Sequence, residues 1–141
     1  MKKVFIYILI VIAAVVAIFI AINYSHPSNQ SHDNVKWQTD LNTALQEAKN
    51  TNKAVFIDFY SDSCSWCKKL DTDTFSDPSV YEKINQNYIP VKINTFLNPD
   101  LSSKYKIYGI PTLVILNSNG EEIKRQEGYV PAIQLLFWLN T

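Results

Sequence analysis

Two cysteines, Cys64 and Cys67, are separated by two residues and stand between an apolar run and a helical sequence pattern. They are the only cysteines among the 141 residues. On the first turn of a helix, this spacing brings the second sulfur close enough to close a disulfide or to resolve a mixed disulfide. The free N–H groups and the positive dipole at a helix N-terminus favour thiolate over thiol. The pattern predicts thiol–disulfide exchange, with Cys64 as the attacking thiolate and Cys67, one turn deeper, as the resolving thiol.

A metal site and a structural or inert disulfide are the alternatives for these cysteines. A metal site needs further ligands, and the two histidines, His26 and His32, stand in a polar segment far from the pair in sequence. We therefore expect no metal and no bound cofactor, with the Cys64–Cys67 disulfide itself as the redox group. A structural disulfide stays open at this point.

Asp58 is a carboxylate inside the otherwise apolar run of residues 54–60. Burying a carboxylate is unfavourable unless it is protonated or paired, and desolvation raises its pKa. Asp58 could therefore shuttle a proton to or from the Cys67 sulfur during exchange. The structural alternative is a hydrogen bond to neighbouring backbone or a pair with Lys92. The charge of Lys92 could in turn alter the pKa of Asp58, or the Lys92 side chain could face solvent.

Helix and strand patterns alternate around these residues. Helical patterns cover residues 37–52, 64–74, 78–87, 98–105 and 131–138, and strand patterns cover 54–60, 88–93, 112–116 and 121–126. Pro90 indicates a strand start or a sheet edge. The order predicts an α/β sandwich with a mixed central sheet and helices on both faces. Two groups of large apolar residues are expected to serve only the core: Trp37, Leu41, Leu45, Ile133, Leu136 and Phe137.

The N-terminal part has a different composition. Two lysines precede an unbroken apolar run over residues 4–22, long enough at ~1.5 Å per residue to cross a bilayer core of ~30 Å as one transmembrane helix. A cleaved signal peptide is the alternative, but Phe19 stands where its cleavage site needs a small residue. The lysines place residue 1 in the cytoplasm and the rest outside. Residues 23–34 read as a flexible tether, and residues 35–141 form the folded domain.

In three segments, residues 35–141 resemble the thioredoxin superfamily. Residues 57–60, followed by three residues and Cys-x-x-Cys-Lys, resemble its first central strand and active-site loop. Residues 91–94 are similar to the strand that carries its buried lysine, and residues 109–112 to its cis-proline segment. Residues 60–64 and 75–80 are similar to the C-terminal periplasmic domain of the DsbD proteins. The resemblance implies a thioredoxin-like sandwich.

The resemblance also implies roles for residues outside the cysteine pair. Pro111 is expected to be cis, which would place the Ile110 backbone beside Cys64, where it can pair with an extended substrate strand. The alternative is a trans proline that ends a loop. Trp66 is expected either to form part of this docking surface or to pack along its helix.

The combined prediction is a membrane-anchored thiol–disulfide oxidoreductase that reduces protein disulfides. It would cross the inner, or cytoplasmic, membrane once through residues 4–22 and carry its folded domain on the extracytoplasmic side. Candidate substrates are secreted proteins with wrongly formed disulfides and apocytochromes, and the electrons would come from a separate membrane donor. The sequence shows no basic patch that would indicate nucleic acid. The alternatives are an oxidase or isomerase, whose relatives usually carry histidine where this chain has Trp66, and a non-catalytic module that docks a partner strand on Ile110–Pro111.

Overall fold

The computed structural model describes residues 6–7, 11–18 and 34–141. The chain divides into two compact units, Met1–His32 and Asp33–Thr141. Residues 6–7 and 11–18 are helical, and no helix within the described residues is both long and apolar enough to cross a bilayer. The structure describes residues 6–7 and 11–18 of the predicted anchor, residues 4–22, and only residue 34 of the predicted tether, residues 23–34. Both segments stay predictions.

The second unit alternates helices and strands in the predicted order. In chain order its elements are α1 Leu41–Thr51, β1 Ala54–Tyr60, α2 Ser65–Lys69, a π-helical turn Leu70–Thr74, α3 Pro78–Asn87, β2 Tyr88–Asn94, α4 Pro99–Lys104, β3 Thr112–Leu116, β4 Glu122–Glu127 and α5 Ala132–Asn140. Local capping explains several of the boundaries. The Asp40 carboxylate accepts the Thr43 N–H at the start of α1, and Asn52 ends that helix in the left-handed region.

The four strands form one mixed sheet in the order β2-β1-β3-β4. β1 pairs parallel with β2 and antiparallel with β3, and β3 pairs antiparallel with β4. The C-terminal ends of β1, β2 and β4 therefore lie at the same end of the strands as the N-terminal end of β3. We call this end of the sheet the cysteine edge, because the Cys64 loop follows β1. β2 is an edge strand, which accommodates the missing N–H of Pro90 as predicted.

Side chains of the central strand β1 alternate between two buried layers. Val55, Ile57 and Phe59 pack with α1, whereas Phe56 packs on the opposite face with residues of the π-helical turn, α3 and α5. The layers confirm the predicted sandwich, because each apolar face of the sheet is covered by helices.

Two of the expected core positions, Ile133 and Phe137, are corrected by the structure. Trp37 packs against the core as expected, but on the sheet face opposite α1, with its ring 5.0 Å from the ring of Phe75. Ile133 and Phe137 are 78% and 74% exposed. They lie on the outer side of α5 because that helix buries the opposite stripe, at positions 135 and 139.

Candidate active site

The cysteine pair lies at the junction between β1 and α2. Cys64 is the N-cap of α2, and its own N–H donates to the Ser61 carbonyl at 3.2 Å. A disulfide joins Cys64 to Cys67 across a Cα–Cα distance of 5.3 Å. The Cys67 N–H points at the Cys64 sulfur at 3.1 Å. An amide at the helix N-terminus is therefore in place to stabilise a thiolate on Cys64.

The two sulfurs differ in access to solvent. Cys64 is half-buried, whereas only 2% of Cys67 is exposed. A partner can therefore reach Cys64, while Cys67 is reachable only from within the protein. This difference supports the order that the sequence predicted, in which Cys64 attacks and Cys67 resolves.

The segment before β3 lies directly against Cys64. The Ile110–Pro111 peptide bond is cis, as predicted, and the Cys64 sulfur is 3.8 Å from the Ile110 carbonyl oxygen. The Thr112 hydroxyl donates to the Gly109 carbonyl at 2.7 Å and holds this turn in place. The backbone at Ile110 is thus close enough to Cys64 to hold a substrate strand while the Cys64 sulfur reacts with that substrate.

A shallow apolar groove continues from this segment. Its volume is about 380 Å³, and it is lined by Trp66, Ile110, Pro111, Gly128 and Tyr129. The Trp66 side chain is 57% exposed, and its ring lies 5.7 Å from that of Tyr129. Trp66 is therefore exposed at the groove, and its part in docking a partner stays a prediction. Tyr129 was missed by the sequence reasoning, and only the pairing of β4 with β3 brings it to the cysteine edge.

Asp58 and Lys92 face each other across the parallel strands β1 and β2. Asp58 is 1% exposed, and Lys92 Nζ lies 3.5 Å from Asp58 Oδ2. Burial raises the pKa of Asp58 to about 7, against the opposing effect of the Lys92 charge. Asp58 Oδ1 is buried and has no hydrogen-bond partner among the described residues. The carboxyl group can therefore gain or lose a proton near neutral pH.

The Lys92 ammonium has further neighbours that the sequence reasoning missed. It forms an ion pair with Asp71 of the π-helical turn. It also lies 4.8 Å from the Tyr60 ring centroid, 5.5 Å from that of Trp37 and 5.9 Å from that of Phe75. Cation–π contacts and the two carboxylates together fix this side chain, so Lys92 does not face solvent. The Asp58–Lys92 register followed from strand pairing, but no local sequence signal pointed to Asp71.

Asp58 and Cys67 lie on the same side of the sheet. Side chains alternate between the two faces along β1, so Asp58 shares the face of Phe56, which belongs to the same buried layer as Leu70. Leu70 and Cys67 are three residues apart and share a side of the helical segment that carries them. The arrangement places a buried carboxyl group with a raised pKa in the layer beneath the helix that carries the resolving sulfur.

The Lys69 side chain, two residues after Cys67, is engaged away from Cys64. Lys69 forms an ion pair with Asp73, and its ammonium lies 5.4 Å from the Tyr129 ring centroid. Within the described part of the chain, no three histidine, cysteine or acidic side chains are grouped so that they could hold a metal ion. His26 and His32 lie outside the described residues.

Comparison with known proteins gives results in agreement with this geometry. A family profile described as a thioredoxin-like domain matches residues 41–141. The thiol:disulfide interchange protein DsbD of Pasteurella multocida (strain Pm70) is 31% identical over 128 residues, which cover 85% of this chain and 22% of that protein. DsbD of Actinobacillus pleuropneumoniae serotype 5b (strain L20) is 29% identical over 125 residues, which cover 84% of this chain and 21% of that protein. The chain therefore spans about a fifth of the length of these curated relatives.

Solved structures match the same region. The C-terminal domain of Neisseria meningitidis DsbD in its oxidised form matches with a TM-score of 0.64 and 25% identity, and the match covers 74% of this chain and 97% of that one. A thioredoxin from Thermus thermophilus matches with a TM-score of 0.68 and 24% identity, and the match covers 76% of this chain and 85% of that one. The second match shows the fold alone.

Proposed function

Because the chain belongs to the thioredoxin-like family of disulfide oxidoreductases, we propose that it reduces disulfides of protein partners through Cys64 and Cys67. One observation carries the proposal: an accessible Cys64 is joined to a buried Cys67, and the buried carboxyl group of Asp58 lies on the same side of the sheet. A structural disulfide does not require this asymmetry. A non-catalytic binding module does not require a buried carboxyl group with a pKa near neutrality.

The exchange takes place in two steps that transfer two electrons to the partner. The Cys64 thiolate attacks one sulfur of the partner disulfide, which breaks the partner's S–S bond, forms a mixed disulfide and releases one thiolate that takes a proton from water. Cys67 then loses its proton to the Asp58 carboxylate and attacks the Cys64 sulfur. The second partner thiolate leaves, and the Cys64–Cys67 disulfide forms. A dithiol donor returns the enzyme to its reduced form.

The charges near Cys64 supply no strong stabilisation of its thiolate, and this supports a protein that works as a reductant. A strong oxidant has a thiol pKa near ~3.5 and a potential near ~−120 mV, against ~−270 mV for thioredoxin. Ser65 and Trp66 carry no charge, and Lys69 is paired with Asp73. Within the described residues, the Cys67 N–H is the one donor to the Cys64 sulfur. We therefore place the potential nearer that of thioredoxin.

The proposed cellular setting follows from the N-terminal sequence and the relatives. We propose that residues 4–22 anchor the chain in the cytoplasmic membrane and that the folded unit works on the extracytoplasmic side. Secreted proteins with wrongly formed disulfides and apocytochromes are the candidate substrates. We also propose that a separate membrane partner supplies the electrons.

Two measurements test the function and its direction. The protein should accelerate the reduction of insulin by dithiothreitol, and absence of any acceleration by wild-type protein would reject the catalytic assignment. Equilibration with glutathione buffers, followed by alkylation of free thiols, gives the midpoint potential. A midpoint more positive than about −150 mV would show that the protein works as an oxidase.

A further inference from the structure

The loop after β2 presents two large apolar side chains to solvent at the cysteine edge. Phe96 is 77% exposed and Leu97 is 78% exposed. Single exposed apolar residues are common on protein surfaces, but neighbouring ones that form a patch indicate an interaction site. Neither residue belongs to the two buried layers or lines the groove beside Trp66.

Hydrogen bonds fix this loop to the loop that carries Cys64. The Thr95 N–H donates to the Tyr60 carbonyl at 2.9 Å, and Asn94 Nδ2 donates to Asp62 Oδ2 at 3.0 Å. The Phe96 N–H donates to Asn94 Oδ1 at 3.0 Å. A backbone held in this way presents its side chains in one arrangement, so less entropy is lost when a partner binds them.

The strand order places Cys64 between two apolar surfaces. Phe96 and Leu97 follow β2, the Cys64 loop follows the neighbouring β1, and Ile110 precedes β3 on the other side. Any polypeptide whose sulfur reaches Cys64 therefore lies between this pair and the groove. In the order of the strands, the nucleophile therefore stands between the two surfaces.

We propose that Phe96 and Leu97 bind an apolar surface of the protein partner on the side of Cys64 opposite the groove. The inference rests on the proposed function and deepens it, because it defines the substrate class. A polypeptide can contact the groove and the Phe96–Leu97 pair at once, whereas a small disulfide at Cys64 cannot span them. The pair carries no charge, so the matching surface on the partner is apolar. The site is thereby selective for polypeptide disulfides over small ones.

The test compares a double variant, Phe96→Ser with Leu97→Ser, against a matched control, Ile133→Ser with Phe137→Ser. The control removes two side chains of similar exposure from the outer side of α5. The full chain, purified in detergent micelles, is assayed with insulin and with hydroxyethyl disulfide. We expect the ratio of the insulin to the hydroxyethyl disulfide kcat/KM to fall about tenfold in the first variant, a typical effect of removing central contact residues. The control should keep the wild-type ratio.

Each other outcome overturns the inference in a recognisable way. Equal losses with both substrates would show that the loop supports the chemistry itself. An unchanged ratio with a smaller sedimenting species would assign the pair to a second copy of the chain. A loss seen only after transfer into phosphatidylcholine vesicles would assign it to the lipid surface. If the wild-type chain reduces neither probe, the proposed function fails first, and the inference fails with it.

Discussion

Replacing Asp58 with asparagine should remove one large source of pH dependence from the stability of the folded unit. Burial raises the pKa of Asp58 from 3.8 to about 7. Between these two values the folded state holds a proton that the unfolded state has lost. The contribution of Asp58 to stability is therefore fully present below pH 3.8, and it is lost as the pH rises through about 7.

The magnitude follows from the size of the shift. A tenfold change in a protonation equilibrium corresponds to about 1.4 kcal/mol, so the rise of the Asp58 pKa from 3.8 to about 7 corresponds to about 4 kcal/mol between acidic and alkaline conditions. The asparagine variant cannot ionise at this position. The difference in free energy of unfolding, variant minus wild type, should therefore increase by up to about 4 kcal/mol from pH 4 to pH 8. The buried amide adds an offset that does not depend on pH, so the slope is diagnostic and the absolute value is not.

Urea unfolding of the compact unit Asp33–Thr141 at several pH values between 4 and 8.5 measures this slope. The disulfide is kept intact so that the cysteines do not titrate. Acidic groups that do not interact with Asp58 or Lys92 contribute equally to wild type and variant and cancel in the difference. Asp100→Asn is the matched control, since Asp100 is an exposed carboxylate at the start of α4. A pH-independent difference between Asp58→Asn and wild type would refute the raised pKa.

Further predictions concern the reaction and the fold. Cys64→Ser should abolish exchange, whereas Cys67→Ser should trap mixed disulfides. Alkylation of the reduced protein should modify Cys64 first, and preferential labelling of Cys67 would reverse the roles of the two cysteines. Asp58→Asn should slow exchange about tenfold or more by removing the proton carrier, and equal rates from pH 6 to 9 would remove it from the mechanism. Lys92→Met should move the pH–rate profile to higher pH, because the Lys92 charge lowers the pKa of Asp58; a shift to lower pH would contradict this. Thr74→Val should lower the free energy of unfolding, measured by urea denaturation, by about 1–3 kcal/mol. The reason is that the buried Thr74 hydroxyl donates to the Val130 carbonyl at 2.7 Å. An unchanged free energy of unfolding would show that this hydrogen bond contributes little.

Local sequence patterns were sufficient for the element order and for the reacting pair. Capping residues such as Asp40 and turn residues such as Asn52 act within a few positions of the chain, so their effect can be read without the fold. The spacing of Cys64 and Cys67 likewise determines their proximity on one helical turn. The cis state of Pro111 was available only through the family resemblance, since no local pattern requires it.

Tertiary structure decided which distant side chains share the site. Strand pairing put Lys92 opposite Asp58, and helix placement added Asp71 from another element. Packing on the sheet also turned Ile133 toward solvent, although its apolar character alone suggested the core. Periodicity and capping are short-range properties encoded in neighbouring residues. The pKa of a buried carboxyl group depends on desolvation and on charges from elsewhere in the chain, and these are set only when the strands and helices pack.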